Sequence, residues 1–206
     1  MIMRIPNLEE AKNIVKEGER LNPGPWVQHV EYAAKAAYSI AKEIDDLDEN
    51  IAYVLGYLHD IGRKEGVTYL RHILDGYNYL MENGYEDAAR ICLTHSFPCQ
   101  NLKAYMGKWD CSEEELEFIR GYLEKVEYND YDKLIQLCDA LALPTGFSLI
   151  EKRLLDVVIR HGVSELFQEK VIATLDIQKY FEKKMGKSIY SVLDGVVENT
   201  FNAEIG

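Results

Sequence analysis

The segment Ile51-Ala-Tyr-Val-Leu-Gly-Tyr-Leu58 is apolar on every side of a helix, and it runs straight into His59-Asp60. A helix that is greasy all round is a buried helix, so the histidine and the carboxylate at its end go into the interior with it. Burying both is costly unless something pairs with them, and a divalent cation suits an imidazole and a carboxylate together. The pair therefore points to a metal site. The competing reading is a core His-Asp hydrogen bond without metal.

Further ligands stand elsewhere in the chain. His29 lies 30 residues upstream on a preceding helical pattern, and Asp139 lies 80 residues downstream inside Lys133-Leu-Ile-Gln-Leu-Cys-Asp-Ala-Leu-Ala-Leu143. At helical spacing Asp139 neighbours Ile135, Ala142 and Leu143, so this acid too sits on an apolar face without an obvious partner. His29, His59, Asp60 and Asp139, drawn from three helices, offer a closed nitrogen and oxygen set for one ion.

The segments Trp26-Val-Gln-His29, Leu58-His-Asp-Ile-Gly-Arg63 and Leu134-Ile-Gln-Leu-Cys-Asp139 carry the order His…His-Asp…Asp. In this the chain resembles the HD-domain metal-dependent phosphohydrolases over about Trp26 to His161. The resemblance implies an all-α, HD-domain-like helical bundle with a C-terminal helical extension. It also implies a phosphohydrolase acting on a phosphate ester of a nucleotide or small phosphorylated metabolite. His72, in Tyr69-Leu-Arg-His-Ile-Leu-Asp-Gly-Tyr77, and His95, in Arg90-Ile-Cys-Leu-Thr-His-Ser96, fall where binuclear members place ligands for a second metal. The expected cofactor is one or two divalent ions among Mn, Fe, Co, Ni, Mg and Zn, with Asp60 as the natural bridge because it has two oxygens.

Such an ion lowers the pKa of bound water and makes hydroxide available as nucleophile. The charge of the ester needs cations beyond the metal. Arg63 and Lys64, directly after the His-Asp pair, are the candidates; Arg63 stands where the family often has lysine, and the bland reading of Lys64 is a solvent-facing side chain. Two other function classes share the ligand pattern. One is an HD-fold di-iron oxygenase, recognised by iron content and oxygen uptake, and the other a non-catalytic ligand-binding regulatory module, recognised by absence of turnover.

Composition sets the frame for this reading. A chain of 206 residues can bury one sizeable core, expected over about 22–162, with C-terminal helices over about 163–206. The net charge of −12 argues against a nucleic-acid duplex, whose phosphates need a basic face. A small, nucleotide-like phosphorylated substrate stays compatible because a bound metal reverses the local field. Cys92, Cys99, Cys111 and Cys138 form no Cys-x-x-Cys pair and read as reduced packing thiols. Met1-Ile-Met-Arg-Ile-Pro6 lacks the apolar stretch of a signal peptide, and no run approaches a membrane span, so a cytoplasmic location is expected. A homodimer is left open.

Helices fill the rest of the reading. Asn7 caps one that runs through Leu21, and Pro25 opens a second through about Ile44. A capping box at Asp46-Leu-Asp-Glu49 starts the third, and Gly62 is expected as its left-handed stop. Helices follow from Tyr69 to Glu82 and from Glu86 to Thr94. A connecting loop or short helix over Ser96–Asp110 is placed to cover the site. Ser112-x-x-Glu115 starts the next helix, Asp130 the one bearing Asp139, and Ser148-x-x-Glu151 one that ends at His161-Gly162, where His161 reads as a cationic C-terminal cap. Glu165 to Met185 and Ser188 to Asn199 complete the chain, with no strand pattern anywhere. Tyr69, Tyr77 and Tyr105 are candidates to line a pocket.

Overall fold

The computed structural model describes residues 3–202, so the first two and last four residues of the expected N-terminal segment and C-terminal extension lie outside it. Helix α1 (Leu8–Leu21) starts where the Asn7 side chain accepts from the Glu10 amide and Glu10 answers on the Asn7 amide, a reciprocal cap that satisfies two otherwise orphaned donors. Asn22-Pro-Gly-Pro25 breaks the chain before α2 (Trp26–Ala41). Then come α3 (Glu49–Leu58), α4 (Arg71–Glu82), α5 (Glu86–Thr94), α6 (Glu113–Lys125) and α7 (Asp130–Asp139). A two-stranded hairpin, β1 (Ala142–Leu143) and β2 (Gly146–Phe147), pairs Ala142 with Phe147 and precedes α8 (Ile150–His161), α9 (Phe167–Met185) and α10 (Val196–Asn202). The fold is all-α, as expected, with this hairpin as its only sheet among the described residues.

Several local expectations are corrected. Helix α2 ends at Ala41, and Ile44 is buried in the turns that follow. Helix α3 is capped by Asp48, whose carboxylate accepts from the Asn50 and Ile51 amides, so the box does not start at Asp46. Ser148 does not cap α8; its hydroxyl donates to the Leu149 carbonyl. The expected last helix splits into a 3₁₀ turn, Ile189–Val192, and α10. The hairpin was invisible because two-residue strands carry no periodicity.

Gly62 is the most instructive correction. It does not stop α3; it sits buried inside the 3₁₀ turn Ile61–Glu65, and the positive φ of 131° falls at Gly66. A Cβ on Gly62 would lie 1.9 Å from the His72 carbonyl oxygen and 2.5 Å from the Gly76 nitrogen. The residue is glycine because α4 presses its backbone onto this turn, and that contact carries His72 to Asp60.

The same device brings α2 against α3. Ala33, Ala34, Ala36, Ala37 and Ala41 are fully buried, and a Cβ on Gly56 would stand 2.9 Å from the Ala34 Cα. Ile40, Leu55, Leu58, Leu134 and Leu137 fill the space between α2, α3 and α7, and Phe181, Ile189 and Leu193 from the C-terminal segments pack into the same cluster. A second cluster of Leu70, Ile73, Leu93, Phe97, Ile119 and Leu123 ties α4 and α5 to α6. Truncating a fully buried leucine such as Leu58 to alanine costs about 2–5 kcal/mol, and here it would loosen the turn that holds His59 and Asp60. No helix among the described residues is long and apolar enough to cross a membrane.

Candidate metal centre

Five helix ends converge on one point. His29 stands in the first turn of α2, His59 caps the C-terminus of α3 with Asp60 next to it, His72 stands in the first turn of α4, His95 caps α5, and Asp139 ends α7. All four imidazoles and Asp60 are buried at 6% exposure or less, and the Asp139 side chain is 27% exposed toward the cavity.

Each imidazole is held in one tautomer by the backbone. The Nδ1 of His59 lies 2.7 Å from the Gly56 carbonyl, that of His95 3.0 Å from Cys92, that of His29 3.2 Å from Ala142, and that of His72 bonds the Tyr69 carbonyl. A carbonyl can only accept, so Nδ1 carries a proton in every ring, and deprotonation of the ring bares the lone pair of Nε2. The unforeseen hairpin thus has a task, since its Ala142 carbonyl orients His29.

The lone pairs then face one another. His29 Nε2 lies 3.1 Å from Asp139 Oδ1, and Asp60 Oδ1 lies 3.0 Å from His72 Nε2 and 3.5 Å from His95 Nε2. Neither Asp60 Oδ1, His72 Nε2 nor His59 Nε2 makes a hydrogen bond among the described residues, although each is buried. Close but misaligned acceptors repel unless a cation lies between them, and such orphaned atoms need an explanation. A divalent ion is the fit. Ligand atoms of His29, His59 and Asp139, and again of His59, Asp60 and His95, all lie within 4.8 Å of one another. His72 completes the row, its ring centroid 5.6 Å from that of His95.

Protonation suits ligation. Burial pushes His29 below the ordinary imidazole value despite the pull of Asp139, and burial beside His59 pushes His95 down to about 3. Burial works against both carboxylates, yet Arg63, His72 and His59 hold Asp60 well below the ordinary range, and His29 and Arg153 do the same for Asp139. Neutral imidazoles and ionised carboxylates are the forms a metal takes.

The two catalytic cations expected from sequence part company. Arg63 Nε donates to Asp60 Oδ2 at 2.5 Å, so it stands at the centre and occupies the oxygen that a two-oxygen bridge would use. Lys64 does not reach the cavity. Its Nζ lies 3.7 Å over the Tyr79 ring and 3.1 Å from Glu65, in a separate surface groove.

A cavity of about 780 Å³ opens over the centre. Tyr69 and Tyr105 line it, whereas Tyr77 packs against Phe118 and Tyr122 away from it. Sequence reasoning missed most of its charged wall. Arg153 and Arg160 on α8 and Lys170 on α9 line it, as does His161, read from sequence only as a helix cap. Helical spacing alone places Arg153, Asp156 and Arg160 on one face of α8, and the structure turns that face to the cavity while leaving Leu155 and Ile159 exposed.

Comparison with known proteins bears on this geometry. No curated protein and no solved structure matches the chain. The family model described as HD domain matches residues 26–143, more than half of the chain, and takes in every histidine and carboxylate of the centre. The chain therefore belongs to the HD domain family, a superfamily of metal-dependent hydrolases.

Proposed function

We propose that the protein is a metal-dependent phosphohydrolase that cleaves a phosphate ester of a nucleotide or other small phosphorylated metabolite. The observation that carries this reading is the gathering of four imidazole Nε2 atoms and two carboxylates under a cavity with cationic walls, with the buried His59 Nε2, His72 Nε2 and Asp60 Oδ1 left without a hydrogen-bond partner among the described residues. His29, His59, Asp60 and Asp139 would hold one ion, and His72 and His95, with Asp60, a second. A divalent ion there supplies a water acidified toward neutrality and a Lewis acid for the phosphoryl oxygen.

The chain's own residues do the rest. Backbone carbonyls fix each imidazole, so that little reorganisation is left when substrate arrives. Arg63 positions Asp60 through Nε and keeps its Nη groups for the phosphoryl oxygens, whose charge grows in the transition state. Tyr69 and Tyr105 border the space for the organic part of the ester.

The test is phosphate release from a panel of nucleotides and small phosphate esters by metal-loaded protein under nitrogen, beside Asp60→Asn. Turnover without oxygen that is lost in the variant supports the reading. Turnover only with iron and oxygen overturns it in favour of the oxygenase, and metal binding without turnover on any ester favours a regulatory module.

A further inference from the structure

We propose that α8 supplies a second anion subsite, so that the substrate carries a non-scissile phosphoryl group besides the one that is cleaved. This rests on the phosphohydrolase reading and narrows its substrate class. Residues 150–161 lie outside the span that the family model matches, so the subsite belongs to this chain's C-terminal helices.

The geometry is that of a prepared anion clamp. Oδ2 of Asp156, whose side chain is 12% exposed, accepts from Arg160 Nη2 at 2.6 Å, from Arg160 Nε at 3.1 Å and from Arg153 Nη1 at 3.1 Å. One carboxylate thus holds two guanidiniums side by side, leaving a net positive charge and donors on both. Arg153 continues toward the centre, its Nη2 3.7 Å from Asp139 Oδ1, and Lys170 Nζ donates to the Ser96 carbonyl at 3.0 Å on the same wall. Asp156 offsets one of the two guanidinium charges, so the pair keeps one positive charge for an incoming anion.

Charge balance points the same way. Arg63, Arg153, Arg160 and Lys170 face Asp60, Asp139 and Asp156 across the cavity. Four cations against three carboxylates leave one positive charge, and one divalent ion raises the surplus to three. A phosphate ester dianion and a hydroxide return three, and a second divalent ion then leaves two positive charges for a further phosphoryl group. In a chain of net charge −12, the wall is a local reversal of sign.

Position orders the substrate. Arg153 and Arg160 leave α8 seven residues apart, but both reach the same Asp156 oxygen, so their guanidiniums stand side by side on the wall. Arg153 is the deeper, its side chain 16% exposed against 41% for Arg160, and Val157 lies between them on the lining face. The scissile phosphoryl group takes the centre beside Arg63, the organic body lies against Val157 and Tyr69, and the second phosphoryl group meets Arg160 near the mouth. Asp156 is a positioning residue in this scheme.

Calorimetric titration of the metal-loaded full chain with inorganic phosphate and with trimethylene bisphosphonate tests the subsite. Wild type is expected to bind the bisphosphonate at least tenfold more tightly, and Arg160→Gln to bring the two affinities within about threefold, with Arg160→Lys restoring part of the preference. Arg160 is surface-accessible, and an unchanged melting temperature of the variant confirms that the fold is intact. Equal wild-type affinities, or a preference that survives Arg160→Gln, overturn the subsite alone. Tighter binding of phosphonobutyrate than of the bisphosphonate overturns the phosphoryl identity of the second group. Binding of neither phosphate nor bisphosphonate overturns both the subsite and the phosphohydrolase reading.

Discussion

Asp60 Oδ1 and His72 Nε2 stand 3.0 Å apart, buried, and without a hydrogen bond between them. With Nδ1 of His72 bonded to the Tyr69 carbonyl, Nε2 is the atom turned on that oxygen, and in the neutral ring the two meet lone pair to lone pair. That contact is a local destabilisation that a cation would reverse, so metal and fold are coupled. An ion at one hundred times its dissociation constant stabilises by about 3 kcal/mol, or roughly 5–10 °C in a chain of this size. Differential scanning calorimetry with excess manganese and then with chelator should show that drop, and a melting temperature indifferent to chelation would count against the coupling.

Gly62→Ala should act at a distance from its own small volume. The added Cβ meets the His72 carbonyl at 1.9 Å, which only backbone movement can relieve. The expected cost is about 3 kcal/mol or more, with His72 displaced from Asp60. Urea denaturation and metal analysis check both parts, and a variant with wild-type stability and metal content would show that α4 is held elsewhere.

Removing the Arg63 charge should separate chemistry from metal binding. The guanidinium holds Asp60 but is not itself a ligand. In Arg63→Ala the metal should remain and kcat should fall about a hundredfold, the scale of losing one preorganised oxyanion donor. Equal kcat in the variant would remove Arg63 from the mechanism.

The metal-free protein should lose stability in mild acid. His95 titrates near 3 in the fold because burial beside His59 disfavours its charge, against about 6.5 when unfolded. Between those values the unfolded state binds the extra proton, so stability rises with pH and is lost as pH falls below about 6.5. At pH 5.5 the loss from this group is roughly 1 kcal/mol, and His29, lowered in the same direction, adds to it. Melting temperatures of chelated protein across pH 5 to 8 should fall toward acid, with a shallower slope in His95→Gln. A flat profile would contradict a neutral buried His95.

Much of the centre was legible because its residues contradict their surroundings. His59-Asp60 closes an apolar helix, and Asp139 interrupts an apolar face, so each announces a cost that needs a partner. His72 and His95 carried no such signal and entered only through the resemblance to a family. Lys64 is next to Arg63 in sequence but not in space: in a 3₁₀ turn successive side chains point about 120° apart, and Lys64 leaves Arg63 for Tyr79. Arg153, Arg160 and Lys170 were overlooked because charged residues on a terminal helix pair are ordinarily a solvated face. Here the apolar Leu155 and Ile159 face outward while Arg153, Asp156 and Arg160 line the cavity, a reversal that only tertiary packing reveals.

The central claim is that the six histidine and carboxylate side chains are metal ligands, and anomalous diffraction from crystals of manganese-loaded protein tests it most directly. The expected result is one or two peaks among His29, His59, Asp60, His72, His95 and Asp139, each bonded through imidazole Nε2. Crystals with full manganese content elsewhere, or imidazoles hydrogen-bonded to the carboxylates with no peak between them, would contradict it.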